Sequence, residues 1–397
     1  MHNKRVLFLT SMLPARGRHG GRQAVYNHLR NLAEAKEPIS IDLVVVDIDN
    51  SGEILPSDIA VDNYWIFDRE FPSWREKGGK IAALKQLFFD LRPRAAALAY
   101  SVKAQKWLQE RLKGVRYDVI VLEHANGWAM VDDSRTTTPI AYIAQNIEEE
   151  IVRDELRQIR PTSLHWFRVL IEVWKTRYYE KSLLLNVNKV LCISSYDAEK
   201  LAHRNLSASV LAWPELPQVR QVKVRDWRGR RLLFVGSPGH FPNIEAARWL
   251  ACNLMPRIRT LCLDTQLHIV GCAKADISGE MAVDGVIFEG FVTKERLDEL
   301  HRIAEIFVCP VVLGSGVKIK VLEAVAFGLP IVASIESLRG IDFLLGNAVT
   351  ITRDVGAAAT RIVDLLNSPE TLRKMSESGQ IALRDAILKR KNLSEVI

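Results

Sequence analysis

The sequence predicts an α/β protein of two doubly wound domains, each a parallel sheet with helices on both faces. Three observations carry that expectation. Short apolar runs alternate with amphipathic stretches along the whole chain, the pattern of successive βαβ units. At 397 residues the chain is longer than one domain of ordinary size. Near its middle the periodicity breaks at WPELPQVRQVKVRDWRG, where two prolines and mixed charges interrupt any helix or strand.

The elements follow in order. Lys4 and Arg5 precede VLFLTSML, a start that superficially copies a signal peptide. No small-residue cleavage site closes the run, which passes directly into Pro14-Ala15-Arg16-Gly17-Arg18, so a buried first strand over 5–9 is expected instead. Further strands are expected over 41–46, 65–67, 119–122, 140–143 and 189–193, with helical patterns between them, among them 24–33 and 171–183. After the break come strands over 231–235, 267–270, 286–288, 306–309 and 330–333, again separated by helices. The expected domains are 1–212 and 231–374, joined by a linker over 213–230 and followed by a helical segment over 375–397. Sheets of this kind bind ligands beyond the carboxyl ends of their strands, which puts the expected site in the cleft between the halves.

Composition limits the class. With 48% hydrophobic and 25% charged residues and a mean hydropathy of +0.00, the chain is an ordinary globular protein and not a disordered one. Its apolar runs are far shorter than the ~20 residues that span a bilayer. The five cysteines, Cys192, Cys252, Cys262, Cys272 and Cys309, are odd in number, lack CxxC spacing and lie among apolar neighbours. They read as small hydrophobes in a reducing compartment, so a cytoplasmic location is expected.

Two stretches carry chemistry. The first strand is followed by TSMLP and then by Gly20-Gly21-Arg22 at the start of a helical pattern. Glycines there let backbone N–H groups and a helix N-terminus approach an anion, although a plain tight turn accounts for them equally well. No GxGxxG follows and no GxxxxGK[ST] occurs, so neither a dinucleotide fingerprint nor a P-loop is supported. The second stretch is CPVVLGSGVKIKVLEAVAFGLP over 309–330: a strand end, a glycine-rich loop, then a helix that opens with Lys318 and Lys320 and carries Glu323 about one turn later. Backbone amides and ammonium groups so placed suit a diphosphate, while the carboxylate accepts hydrogen bonds from sugar hydroxyls; a solvated helix face is the plain alternative.

The stretch GSGVKIKVLEAVAFGLPIVAS resembles the nucleotide-sugar signature of glycosyltransferase family 4, retaining transferases with the GT-B fold of two Rossmann-like domains facing across a cleft. RLLFVGSPGHFPNIEAARWL, LHIVGC, GVIFEGFV and AEIFVCP are similar to the successive βα units of that family's donor domain. HGGRQ, DVIVLEHANGW, AQNIEEEIVRDE and VLCISSYDAEKL resemble its first domain more loosely. The resemblance implies that Glu323 receives the donor ribose hydroxyls, that Gly20 and Gly21 lie against the donor diphosphate, that His124 sits near the transferred sugar, and that Gly236 begins the loop touching the leaving phosphate. It also implies that the C-terminal segment crosses back to the first domain. The donor site is accordingly expected to draw on Gly20, Gly21, Gly236, His240, Asn243, Ser315, Gly316, Lys318, Lys320 and Glu323, with His124, Lys320 and Glu323 as the catalytic residues.

Two departures from the family pattern matter. The family often has a glutamate eight residues before the position of Glu323, where this chain has Ser315. It often carries an Arg and Lys pair in the loop after the first donor-domain strand, where 236–243 reads GSPGHFPN with only His240. Lys318 and Lys320 in the facing loop are expected to supply the missing positive charge, because a departing diphosphate needs its developing charge stabilised. Such transferases use no bound metal as a rule. No HExxH and no Cys/His cluster with ligand spacing occurs, so no metal or other cofactor is expected.

The net charge is +7, with a pI near 9.1. Residues 71–116 alone carry eleven Lys and Arg against three Asp and Glu, interleaved with Phe71, Trp74, Phe88, Phe89 and Trp107. A second basic and aromatic stretch, 165–181, contains Trp166, Phe167, Trp174, Tyr178 and Tyr179. Such surfaces suit an anionic bilayer or single-stranded nucleic acid, but no RRM, KH, zinc-finger or helix-turn-helix signal is present. Core aromatics among solvated lysines are the plain alternative. The expected partners are a UDP- or GDP-linked sugar and a glycan or lipid-linked acceptor, with peripheral membrane contact through the first domain. The expected activity is transfer of a hexose in cell-surface polysaccharide synthesis. A non-catalytic nucleotide-sugar or glycan binder, and a nucleotide-sugar epimerase of the same fold, are the alternatives from other classes.

Overall fold

The computed structural model describes residues 3–15, 20–49, 52–72, 79–131, 136–161, 163–204, 207–221, 225–236, 241–277, 284–313 and 316–397. The chain divides into two units, Met1–Pro214 with Lys391–Ile397, and Glu215–Arg390.

The first unit is built on seven parallel strands: β1 Lys4–Thr10, β2 Ile39–Asp47, β3 Asn63–Asp68, β4 Val119–Glu123, β5 Ile140–Ala144, β6 Lys189–Cys192 and β7 Ser209–Ala212. Their order is β3-β2-β1-β4-β5-β6-β7. The run VLFL is apolar without alternation because both of its faces are covered. Val6 and Phe8 pack with Val25, Leu29 and Leu43 on one side, while Leu7 and Leu9 pack with Ala104, Leu108 and Leu183 on the other.

The second unit repeats the plan with β8 Arg231–Val235, β9 Gln266–Val270, β10 Val286–Gly290, β11 Ile306–Cys309, β12 Ile331–Ala333 and β13 Ala348–Thr350. The order is β10-β9-β8-β11-β12-β13, again all parallel. Strand order reverses between β1 and β4 in the first unit and between β8 and β11 in the second. Open α/β sheets bind ligands outside the carboxyl ends of the strands at such points.

Residues 213–230, expected as a linker, are tied to the units on either side. Trp213 is buried in the first unit and its Nε1 donates to Lys391 O at 3.0 Å. Arg220 N donates to Ala326 O at 2.8 Å within the second unit. The buried Arg225 guanidinium there donates to the carbonyls of His301, Ala304 and Phe327. These bonds hold the ends of two helices, Lys294–Ile303 and Ile319–Ala326, in register. The last long helix runs Pro369–Lys389, opening with Pro at its first turn, and belongs to the second unit. Lys391–Ile397 returns to the first unit, where Leu393 is buried and its N donates to Asn31 Oδ1 at 2.6 Å. Lys4 Nζ donates to Ser394 O and Ile397 O, both at 3.0 Å. Among the described residues, no helix is long and apolar enough to cross a membrane.

Candidate active site

In the second unit the chemistry-bearing residues gather at the carboxyl ends of β8 to β11. Gly236 follows β8 and donates its N–H to Val270 O at 2.9 Å; Gly271 follows β9 and donates to Gly290 O at 2.7 Å. The backbones pass so closely that a Cβ on Gly271, whose φ is +79°, would lie 1.8 Å from Gly236 O. A Cβ on Gly236 would lie 2.9 Å from Cys272 Sγ and 3.0 Å from Asn243 Cβ. Only glycine fits at this corner, where Gly271 is buried and Gly236 keeps part of its surface exposed.

Asn243 is buried in the helix Phe241–Arg248, and its Oδ1 accepts a hydrogen bond from Lys320 Nζ at 2.5 Å. Lys320 stands on the first turn of Ile319–Ala326, the helix that follows the glycine-rich loop. Val321, Leu322, Ala324, Val325 and Ala326 are buried, so Lys320 and Glu323, three apart, share the partly open face. The Lys320 ammonium lies 4.9 Å from the centre of the Phe234 ring. Burial pulls its pKa down. Gly316 has φ +78°, and Lys318 Nζ reaches back to its carbonyl at 3.0 Å. Burial, followed by the nearby charges of Glu215 and Asp298, pushes the Glu323 carboxyl up to about 7, against the opposing pull of Arg220 and Lys294. Among the described residues the arrangement offers a partly desolvated cation, part-exposed backbone at Gly236 and Gly316, and a carboxyl ready to ionise when hydroxyl donors approach it.

In the first unit Gly21 and His124 flank the switch point. Gly21 lies in the first turn of the helix Gly20–Ala33, and a Cβ there would come 2.6 Å from Met12 Sδ. His124 directly follows β4, where Thr10 of β1 pairs with Glu123. The Glu123 carboxylate is fully buried and held by His28 Nδ1 and Gln145 Nε2, each at 2.6 Å. His124 itself has φ 72° and ψ 149°, a conformation that glycine adopts readily and other residues rarely do. Its Nδ1 accepts from Asn126 N at 3.5 Å, and its Nε2 lies 3.4 Å from Glu148 Oε1. Strain of this kind costs about 1–3 kcal/mol and collects where a side chain must be aimed. His124→Gly is therefore expected to melt at or above the wild type and about 1 kcal/mol above His124→Ala, which keeps the strain. Thermal unfolding of the two variants checks the order.

Of the expected site residues, Gly236, Asn243, Gly316, Lys318, Lys320 and Glu323 come together in the second unit, and Gly21 and His124 line one sheet corner of the first. His240 and Ser315 lie outside the described residues, and Gly20 is described only as the start of its helix. Sequence reasoning missed Gly271, Gly290 and Glu148. The first two had a signal, since three successive strands of the second unit each run into a glycine, as VGS, VGC and EGF. It also passed over the Asp-x-Asp spacing of Asp47 and Asp49. Asp47 is buried at the end of β2, where its Oδ1 accepts from Asp49 N at 3.2 Å. Among the described residues no group of three or more His, Cys, Asp or Glu is placed to hold a metal ion.

Residues 229–368 match the family model described as glycosyl transferases group 1. An uncharacterized 44.6 kDa protein in the cps region of Klebsiella pneumoniae is 21% identical over 372 residues, covering 91% of this chain and 90% of that protein. The crystal structure of TarM superposes with a TM-score of 0.67 at 9% identity, over 99% of this chain and 97% of that one. Anabaena Alr3699/HepE, solved in complex with UDP and glucose, gives a TM-score of 0.62 at 12% identity, over 100% of this chain and 99% of that one. The fold is thus that of the GT-B glycosyltransferases, two parallel-sheet Rossmann-like domains. The family match to the second unit, together with this fold, supports a glycosyltransferase.

Proposed function

We propose that the protein transfers a hexose from a UDP- or GDP-linked donor, with retention and without a metal, to a glycan or lipid-linked acceptor in cell-surface polysaccharide synthesis. The observation that carries this reading is Lys320: a partly desolvated ammonium, held by Asn243 beside the glycine corner of β8 and β9, with Glu323 on the same helix face. A diphosphate would lie against Lys320, the loop over 316–318 and the main chain at Gly236, and the cation would strengthen its hold as leaving-group charge develops. Glu323 would accept the ribose hydroxyls. On the first unit, His124 and Gly21 stand at the strand-order switch point, where a sheet of this kind takes a ligand.

The cps-region relative supports the polysaccharide context, and the UDP and glucose bound to the Anabaena protein support a nucleotide-sugar donor. The match to glycosyl transferases group 1 and the motif GSGVKIKVLEAVAFGLP support membership of glycosyltransferase family 4. Peripheral membrane contact is supported by Phe88, Phe89, Leu164, Phe167, Trp174 and Tyr178, all more than half exposed on the helices Gly79–Phe89 and Leu164–Asn186. Lys85, Arg168, Arg177 and Lys181 are exposed among them, as an anionic bilayer requires. A thermal-shift panel against UDP, GDP, ADP, CMP and TDP tests the donor site. A nucleotide at about a hundred times its Kd should add roughly 2.7 kcal/mol of stability. Stabilisation by UDP or GDP is expected; stabilisation by none of the five contradicts the reading.

A further inference from the structure

The first unit contains a cavity of about 720 Å³, a size that encloses a drug-sized ligand, and none of the donor-site residues lines it. Its wall is mostly apolar, with Leu84, Leu87, Leu98, Val152 and Val169 drawn from four helices, Gly79–Phe89, Arg94–Leu98, Glu148–Gln158 and Leu164–Asn186, and Pro93 from the cap of the second. Two of these, Gly79–Phe89 and Leu164–Asn186, also carry the exposed aromatic and basic residues assigned above to the membrane surface. The wall reaches His124 as well, because Ala125, Asn126 and Glu148 line it and Glu148 Oε1 is 3.4 Å from His124 Nε2.

The charged groups in the wall are Arg94, Arg168, Glu148, Glu155 and Glu172. Glu172 Oε2 accepts from Arg94 N at 3.0 Å, Glu148 lies against His124 and Arg168 Nη2 is 3.2 Å from His165 Nδ1, so the guanidinium groups of Arg94 and Arg168 stand beside hydrocarbon walls as anion-binding groups, with Glu155 exposed among them. A free sugar does not need so apolar a chamber, and a purely apolar ligand does not need two arginines.

We propose that this cavity holds the hydrocarbon chain and phosphate of a lipid-linked acceptor, taken up from the membrane surface on which the two helices rest, with the acceptor hydroxyl presented at His124. The inference deepens the transferase reading and rests on it for the acceptor's role. The cavity's preference for an alkyl phosphate, however, can be measured without turnover.

The test is calorimetric titration of the full chain with dodecyl phosphate below its micellar concentration, and with inorganic phosphate. Saturable binding of dodecyl phosphate is expected, with none of inorganic phosphate at the same concentrations. Ala95→Trp, at an exposed position in the cavity wall, should weaken dodecyl phosphate binding by about tenfold or more while UDP or GDP still binds. Val152→Trp fills the same space from another helix if the first variant misfolds. Phe88→Ser with Phe89→Ser should lose sedimentation with phosphatidylglycerol vesicles but keep dodecyl phosphate. Failure of dodecyl phosphate to bind, or wild-type affinity in a folded filling variant, overturns the proposal. If a nucleotide binds and dodecyl phosphate does not, the cavity proposal fails alone; if dodecyl phosphate binds and no nucleotide does, the transferase reading fails and the cavity stands.

Discussion

Lys320→Met is expected to lower donor turnover by about a hundred- to a thousandfold while the protein melts close to the wild-type temperature. The two outcomes separate because the ammonium serves binding and not folding. Its burial already disfavours the charged form, and among the described residues the ammonium meets an amide oxygen at 2.5 Å and an aromatic face at 4.9 Å. Methionine keeps the unbranched chain against Phe234 and removes the charge. What is lost is a fixed cation that requires no reorganisation as the diphosphate departs, and removing one such donor typically costs about 3–4 kcal/mol of transition-state stabilisation. Lys318→Ala should add a smaller loss, since Lys318 bonds to the Gly316 carbonyl at 3.0 Å and shapes the loop. Steady-state kcat/KM with thermal unfolding checks both, and near-wild-type turnover in Lys320→Met would place the leaving-group charge elsewhere.

Glu323→Gln is expected to stabilise the protein above neutral pH and to weaken nucleotide binding. The carboxyl titrates at about 7 in the folded chain against 4.5 ordinarily, so the native state holds this proton more tightly than the unfolded state does. Stability from this group is present below pH 4.5 and is lost as pH rises through 7. Removing the ionisable group should therefore raise stability at pH 8 by about 1–2 kcal/mol after discounting for partial exposure, and should do nothing at pH 4. Binding moves the other way. A carboxylate accepting two hydroxyl hydrogen bonds must first release its proton, so wild-type affinity for the nucleotide should rise between pH 6 and 8. In Glu323→Gln affinity should fall by roughly tenfold or more at pH 8, and only the nucleotide's own ionisation should remain in its pH profile. Equal pH profiles for the two proteins would remove Glu323 from the ligand contacts.

The interior strands were legible because both faces of each sheet are covered, which writes them as unbroken apolar runs. The edge strands β7 and β13 were not: SVLA is largely exposed, AVT is three residues long and none of it is buried, and neither carries a pattern. The start of the helix Pro369–Lys389 is six residues earlier than expected, and Ser368-Pro369 is a helix-opening signal. Within the site, Lys320 and Asn243 were each identified, but their bond joins positions 77 apart and no local pattern announces it. Glu148 is one of three consecutive glutamates, and only the turn of its helix toward β4 selects it for His124. The aromatics of 71–116 divide in a way that composition does not reveal. Trp107 packs against Trp65 at 4.4 Å with Arg111 over the Trp65 ring at 5.0 Å, while Phe88 and Phe89 face solvent. The cavity, assembled mainly from four helices of the first unit, has no sequence signature.

The most direct test of the central claim is label transfer. Purified protein is incubated with UDP- and GDP-linked hexoses labelled in the sugar and with membranes as the acceptor source, and lipid, glycan and donor fractions are counted. Movement of label into the lipid or glycan fraction, matched by release of nucleoside diphosphate and absent with Lys320→Met, is the predicted result. Label that stays on the donor while the nucleotide binds, or a donor sugar epimerised with no acceptor present, would contradict it.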